Sequence, residues 1–150
     1  NVCSKTKYLG HYITDQLCDD DDIYRQCRVL YAQANILGRK FYMCTAEVKI
    51  SLFKAYCTSL YTAPLWCNFK KASMQKLKVA YNDSLRILLK KPRFSSASEM
   101  FCNAHVRTFQ ALVRHLIYRF MCRLGSSLNS LIVMFSHPSL SALRFQSALW

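Results

Sequence analysis

The sequence predicts a mainly α-helical fold, a compact bundle of about five helices preceded by a short N-terminal β segment. Three glycines and three prolines among 150 residues are too few for the frequent turns of a β-sandwich or barrel. Apolar residues make up 52% of the chain and charged residues 19%, which excludes an intrinsically disordered chain. Apolar residues also recur every three or four positions through most of the chain, as they do on the buried face of a helix.

The first 22 residues predict an extended segment that ends in an acidic cap. Residues 7–14 combine β-branched and aromatic side chains around Gly10, a pattern typical of a strand pair. The acidic run that follows ends at Asp22, which we expect to be the N-cap of the first helix. Capping and the helix dipole explain this run without a metal ion, because nothing holds four adjacent carboxylates in one octahedral geometry. We therefore predict no metal site.

Apolar periodicity and proline define the first two helices, within a helical domain predicted over residues 23–125. Between residues 23 and 41 the apolar positions fall within about 80° of arc, with arginines on the opposite side. These outward arginines are Arg25, Arg28 and Arg39. A second helix is predicted to begin at Thr45 and to run toward Pro64, which ends or kinks it. Its expected inward contacts are Val48, Leu52, Phe53, Tyr56 and Leu60.

The third helix is expected to be capped by Ser73 and to stop before Pro92, because the residue before a proline avoids the α region. Its apolar side is formed by Met74, Leu77, Tyr81, Leu85, Leu88 and Leu89. The other side carries Lys76, Arg86 and Lys90, interrupted only by Asp83.

Two further helices are predicted toward the C-terminus. Ser96 and Glu99 form the capping-box pattern for a short helix around Met100. Thr108 precedes a fifth helix, for which Gly125 has the residue type expected at C′. Residues 126–150 form a serine-rich tail that gives little structural signal apart from the apolar run at 131–135.

The charge distribution points to a polyanionic partner. Two of the 21 basic residues and five of the eight acidic residues precede residue 23, which leaves 19 basic and three acidic residues over 23–150. A surface with this imbalance attracts polyanions. Nucleic acid is the favoured partner and an anionic membrane the second, while a merely basic domain is the alternative without a partner.

The candidate contacts to phosphate are the cations on the outer sides of the predicted helices. Solvated helix faces ordinarily mix both signs of charge, whereas these faces carry almost no acid. The candidates are Arg25, Arg28, Arg39, Lys70, Lys71, Lys76, Arg86, Lys90, Lys91, Arg93, Arg114, Arg119 and Arg123. Phosphates bind such point charges and guanidinium forks along a groove.

The sequence lacks the residue patterns of a complete active site. The eight cysteines include no Cys-x2-Cys pair, and Cys102 with His105 supplies two metal ligands at most. Most of the other cysteines are expected to act as small buried hydrophobic residues in a reducing, intracellular compartment. No glycine-rich phosphate loop or Gly-x-Ser-x-Gly motif occurs, and no histidine has an evident nucleophile and acid as partners.

An ordered series of short motifs resembles one known family. The resemblance is to the region downstream of the palm in reverse transcriptases of LINE-type (non-long-terminal-repeat) retrotransposons, over roughly residues 5–125. The motifs are Lys7-Tyr8-Leu9-Gly10-His11, the aspartates 19–22, Arg25-Gln26-Cys27-Arg28-Val29-Leu30-Tyr31-Ala32-Gln33, Tyr61-Thr62-Ala63-Pro64-Leu65-Trp66, Ala80-Tyr81-Asn82-Asp83 and Arg123-Leu124.

The resemblance implies a role in holding a template-primer duplex. Tyr8, Leu9 and Gly10 would correspond to the primer-grip hairpin, and the helices to the thumb, which contacts the duplex backbone. The Tyr-x-Asp-Asp motif that binds the catalytic metals is absent, as is the Cys/His zinc knuckle found in many relatives. We therefore expect a thumb-side portion that is no enzyme on its own and holds no cofactor, since Mg²⁺ would belong to the palm.

The expected partners are an RNA/DNA template-primer duplex and the upstream palm and fingers of the same polyprotein. Neither a membrane nor a small-molecule substrate is expected. The expected location is the nucleus or the cytoplasm, without secretion. The competing hypothesis is a helical protein-interaction or scaffold module with no role in nucleic-acid binding.

Overall fold

A computed structural model of the chain describes residues 4–130, and the prediction of a mainly helical fold with a short N-terminal β segment is confirmed. The strands are β1 (Lys5–Tyr8) and β2 (His11–Thr14). The helices are α1 (Asp20–Lys40), α2 (Ala46–Tyr56), α3 (Lys71–Leu89), α4 (Ala97–Asn103) and α5 (Phe109–Gly125), with a 3-10 helix at Ala63–Leu65. The apolar run at 131–135 lies outside the described residues.

The two strands form an antiparallel hairpin whose turn is Leu9–Gly10. Tyr8 pairs with His11 across the turn. Both turn residues have positive φ, 46° at Leu9 and 81° at Gly10, as in the tight turns that suit the twist of a hairpin. Gly10 also lies directly against Tyr61, because a Cβ atom built on this glycine would overlap the Tyr61 hydroxyl group.

Replacing Gly10 by alanine is expected to destabilise the chain by about 1–2 kcal/mol, because an L-residue is strained at this φ and Tyr61 must move. The matched control is Gly125→Ala, since nothing lies within 4 Å of a Cβ there and the residue is helical. We expect that variant to be unchanged or slightly stabilised. Urea unfolding followed by circular dichroism measures both, and equal effects of the two changes would contradict the assigned turn.

The helices α1 and α3 pack side by side and run in the same direction. Three contacts at successive levels establish this arrangement: Tyr24 with Ser73, Tyr31 with Asp83, and Tyr42 with Lys90. Because the residue numbers of the partners increase together along both helices, the N-terminal ends of α1 and α3 lie at one end of the bundle. Their C-terminal ends lie together at the other.

The core is centred on the Tyr81 ring. This ring stacks on Phe101 with a centroid distance of 5.3 Å, and Phe53 and Phe109 pack on it at 5.3 and 5.9 Å. Its hydroxyl group donates a hydrogen bond of 3.0 Å to the Arg107 carbonyl oxygen. One residue of α3 therefore joins α2, α4 and α5 in a single core, while the aliphatic residues of α1 and α3 extend that core.

The last two helices begin where the sequence predicts. Ser96 Oγ accepts a hydrogen bond from the Glu99 amide at the start of α4, and Thr108 Oγ1 accepts one from the Ala111 amide at the start of α5. Both caps are local contacts between residues three apart. The expected C′ role of Gly125 is wrong, because Gly125 is the last residue of α5 and Ser126 follows as the C-cap.

Three other predicted helix ends are wrong. The first helix begins at Asp20 with Asp19 as N-cap, so Asp22 lies inside its first turn. The third begins at Lys71 with Lys70 as N-cap, and Ser73 is a buried residue within it. The second ends at Tyr56, well before Pro64. A further correction concerns its inward contacts, because Val48 and Tyr56 are exposed.

Residues 4–130 contain no helix with both the length and the apolar character needed to cross a lipid bilayer.

Candidate nucleic-acid interface

The acidic run is a structural hub that joins the hairpin, α1 and the segment before α3. Asp22 is fully buried, and its carboxylate accepts hydrogen bonds from Trp66 Nε1 at 2.9 Å and Arg25 Nε at 2.8 Å. Its other contacts are His11 Nδ1 at 3.1 Å and the Tyr12 amide at 3.3 Å. The role predicted for Asp22 as a helix cap is therefore replaced by contacts with residues distant in the sequence.

Asp19 and Asp20 hold the segment that leads into α3. Asp19 Oδ2 accepts hydrogen bonds from the amides of Cys67 and Asn68, at 2.8 and 2.9 Å. Asp20 Oδ1 accepts one from the Lys70 amide at 2.9 Å. These carboxylates thus satisfy backbone donors at the start of α3. Within residues 4–130 no group of three or more His, Cys, Asp or Glu side chains could hold a metal ion.

Hydrogen bonding outweighs burial in the electrostatics of this hub. Burial raises the pKa of Asp22, whereas the hydrogen bonds from Arg25 and Trp66 lower it. The hydrogen bonds and the neighbouring charges together outweigh burial, so that the pKa lies below its ordinary value. Burial likewise raises the pKa of Asp20, and hydrogen bonds from the Ser73 side chain and the Lys70 backbone bring it below the ordinary value. Both carboxylates are therefore charged at neutral pH and stabilise the fold in that form.

Two of the predicted phosphate contacts serve the fold instead of facing outward. Arg25 is only partly exposed and binds the buried Asp22. Arg86 is also partly exposed, with Nη1 2.9 Å from Asp83 Oδ1 and Nη2 3.0 Å from the Ser95 carbonyl oxygen. The prediction that these two arginines lie on outward helix faces is wrong, because each binds an aspartate three residues earlier.

A line of cations and tyrosines follows the parallel contact between α1 and α3, which we call the α1–α3 seam. Lys76 Nζ lies 4.9 Å from the centroid of the Tyr24 ring, and Lys90 Nζ lies 3.5 Å from that of Tyr42. Exposed Arg28 lies one turn beyond Tyr24 in α1. The full seam consists of Tyr24, Arg28, Tyr31, Tyr42, Lys76, Asp83 and Lys90. The ring face attracts the ammonium group, which favours these positions of the two lysine side chains.

Asp83, in the middle of the seam, is an aspartate whose carboxylate is paired within the protein. Tyr31 donates a hydrogen bond of 3.1 Å to Asp83, which also binds Arg86. Burial and the Asp83 carboxylate raise the pKa of Tyr31, whereas hydrogen bonds from Ser73 and Lys76 lower the pKa of Tyr24. The negative charge of Asp83 is thus engaged within the protein, and it is flanked by Lys76 in α3 and by Lys90 at the C-cap of that helix.

Neither protein-family models nor curated proteins nor solved structures show a significant match to this chain.

The C-terminal ends of α1 and α3 form a strongly basic end of the bundle. The contact between Lys90 and Tyr42 brings the two helix ends together. The exposed cations of this end are Arg39, Lys40, Lys90, Lys91 and Arg93. Residues 32–46 and 84–98 contain no acidic residue, so the sequence near these cations supplies no compensating charge.

The remaining candidates lie elsewhere on the molecule. Lys70 and Lys71 are exposed at the start of α3. Arg114, Arg119 and Arg123 are exposed on α5, which packs against the 3-10 helix and α3. At 100° per residue Arg114 and Arg119 lie about 140° apart around the helix axis, so the α5 arginines do not form a row. The structure therefore brings only part of the candidate set together.

The turn assigned to the primer grip by resemblance is open to solvent. Tyr8 and Leu9 are exposed, and Gly10 follows them in the tight turn between β1 and β2. The hub fixes the position of this turn, because His11 and Tyr12 next to it contact Asp22.

Sequence reasoning missed the three tyrosines of the seam and misjudged several cysteines. Tyr24 and Tyr31 lie on one face of α1, and Tyr42 follows two residues after the helix ends. The seven-residue spacing of Tyr24 and Tyr31 was a signal that could have identified that face. Cys57 is buried, as expected for a small hydrophobic residue, whereas Cys67 and Cys122 are exposed.

Proposed function

We propose that the chain binds a nucleic-acid duplex through its backbone phosphates, without sequence specificity, as the template-primer-binding portion of a retrotransposon RNA-directed DNA polymerase. The observation that carries the proposal is the contact of Lys76 with Tyr24 and of Lys90 with Tyr42 along the α1–α3 seam, with exposed Arg28 one turn beyond Tyr24. The polymerase identity comes from the sequence resemblance alone.

The dimensions of the seam suit a phosphate backbone. Lys76 and Lys90 are fourteen residues apart in sequence, which corresponds to about 21 Å along the axis of α3. Phosphates of one strand recur about every 3.4 Å along a duplex, so the seam has the length of about six of them. The flanking tyrosines hold two lysines near the surface, which reduces the conformational entropy lost on binding.

The hairpin supports the proposed contact with the palm and fingers of the same polyprotein. Leu9 and Leu17 expose 80% and 72% of their surfaces, and Leu65 in the neighbouring 3-10 helix is also exposed. Leu17 and Leu65 line the same depression, whereas Leu9 lies in the turn at the opposite end of the hairpin. Exposed apolar side chains of this kind are expected where another domain packs. In the proposed arrangement the hairpin contacts the palm, and the palm supplies the catalytic aspartates and Mg²⁺.

The same apolar residues favour the second candidate function, a helical protein-interaction module. That module would bind its partner through Leu9, Leu17 and Leu65 and would not bind nucleic acid. Its binding would be largely independent of salt, whereas phosphate contacts release counterions.

A salt titration of duplex binding tests the proposed function. For an RNA–DNA duplex in a fluorescence anisotropy assay, we expect the association constant to fall steeply between about 50 and 200 mM salt, with a slope of about −0.9 per phosphate contact. Duplexes of unrelated sequence are expected to give the same slope. The absence of binding, or binding that does not change with salt, would contradict the proposal and favour the protein-interaction module.

A further inference from the structure

We propose that the turn at residues 92–95 is a second nucleic-acid site, at which Phe94 stacks on an unpaired base of a single strand. The site goes beyond the proposed duplex binding and does not depend on it. It combines one exposed aromatic ring with several cations, the combination by which proteins bind single strands without reading their sequence.

The ring of Phe94 lies outside the core. It exposes 92% of its surface, although phenylalanine is among the residues most often buried. The turn is closed by a 3.1 Å hydrogen bond from the Ser95 amide to the Pro92 carbonyl oxygen, which also accepts a 2.7 Å bond from Ser95 Oγ. The ring therefore projects from a turn with defined hydrogen bonds.

The turn is also attached to α3. Arg86 Nη2 donates a 3.0 Å hydrogen bond to the Ser95 carbonyl oxygen, while Arg86 Nη1 binds Asp83. The Arg86 side chain therefore links α3 to the turn and is not available to a ligand. It fixes the turn relative to the seam, so that a base stacked on Phe94 would meet a preorganised surface.

The charges around Phe94 identify the ligand as a nucleic-acid strand. Exposed Lys90, Lys91 and Arg93 precede the ring within four residues of sequence, and residues 84–98 contain no acidic residue. A phosphate next to a stacked base would meet these cations. A membrane surface would instead require an amphipathic helix with a continuous apolar face, whereas Phe94 is a single aromatic residue on a turn.

The experiment compares two short oligonucleotides of equal length, oligothymidylate and an abasic strand, which carry the same phosphates and differ in the bases. We expect Phe94→Ala in the full chain to weaken binding of oligothymidylate about tenfold and to leave binding of the abasic strand unchanged. Phe94→Trp should restore or strengthen binding of oligothymidylate. The matched control is Tyr118→Ala, which removes another exposed aromatic ring, on α5, and should change neither affinity.

The outcomes separate this site from the proposed duplex function. If Phe94→Ala weakens both strands equally, or neither, the stacking site is wrong, and the salt-dependent duplex binding remains as a separate result. If the variant instead loses binding to vesicles of anionic phospholipid and keeps its affinity for oligothymidylate, the site belongs to a membrane surface and the proposal is overturned.

Discussion

Replacing Asp22 by alanine is expected to lower the free energy of unfolding by about 4 kcal/mol, the typical cost of removing one partner of a buried ion pair. The change leaves the Arg25 guanidinium group partly buried without its carboxylate, and it removes the acceptor of the Trp66 indole N–H. A domain of ordinary stability has about 5–15 kcal/mol in total, so a large part of the margin is lost. Urea denaturation followed by tryptophan fluorescence measures the change.

The matched control is Asp21→Ala, one residue away in the same acidic run. Asp21 forms an ion pair with Lys5 at 2.7 Å, but both side chains are substantially exposed. Exposed pairs contribute about 0–1 kcal/mol, so this variant should unfold almost as the unchanged chain does. If the two variants lost the same stability, the acidic run would act only through its total charge near the helix N-terminus.

Acid unfolding provides a second measurement of the same hub. Because the pKa values of Asp20 and Asp22 are depressed in the folded chain, their contribution to stability is fully present above the ordinary carboxyl pKa of about 4. It is lost as the pH falls through the lower, folded-state values. The unchanged chain should therefore lose stability below about pH 4, and the Asp22→Ala variant should show a shallower loss over the same range.

The hub marks the limit of what local sequence patterns predict. The caps at Ser96 and Thr108 were predictable because each donor lies three residues from its acceptor. The role of Asp22 was not, since its Trp66 partner is 44 positions away in the sequence. Sequence periodicity identifies which face of a helix is apolar, but it does not show which distant donors converge on a buried carboxylate.

The positions of Arg25 and Arg86 show that a local signal was also overlooked. Each arginine follows an aspartate at a spacing of three residues, a spacing that places both side chains on the same helix surface. Counting the cations of a face without pairing them with such acids overestimates the charge available to a ligand. Lys76 and Lys90 have no such neighbour in α3, and both are exposed in the structure.

Replacing Arg28, Lys76 and Lys90 together by alanine is expected to give the largest change in duplex affinity. Each lost phosphate contact lowers the magnitude of the salt slope by about 0.9, so the three together lower it by about 2.7. If the contacts contribute little near 1 M salt, the association constant at about 50 mM salt falls by about three and a half orders of magnitude. Fold stability should change little, because exposed cation–π contacts contribute only about 0.5–1 kcal/mol each.

The control for this variant is the triple replacement of Arg114, Arg119 and Arg123 by alanine, which removes the same formal charge from exposed positions of α5. A diffuse attraction between a basic chain and a polyanion would make the two triple variants equivalent, because it depends on net charge alone. Phosphates that bind along the α1–α3 seam would make the seam variant lose far more of the salt slope. If the α5 variant lost more of the salt slope, the duplex would be assigned to α5 instead of the seam. Lys76 and Lys90 would then have only a role in packing against Tyr24 and Tyr42.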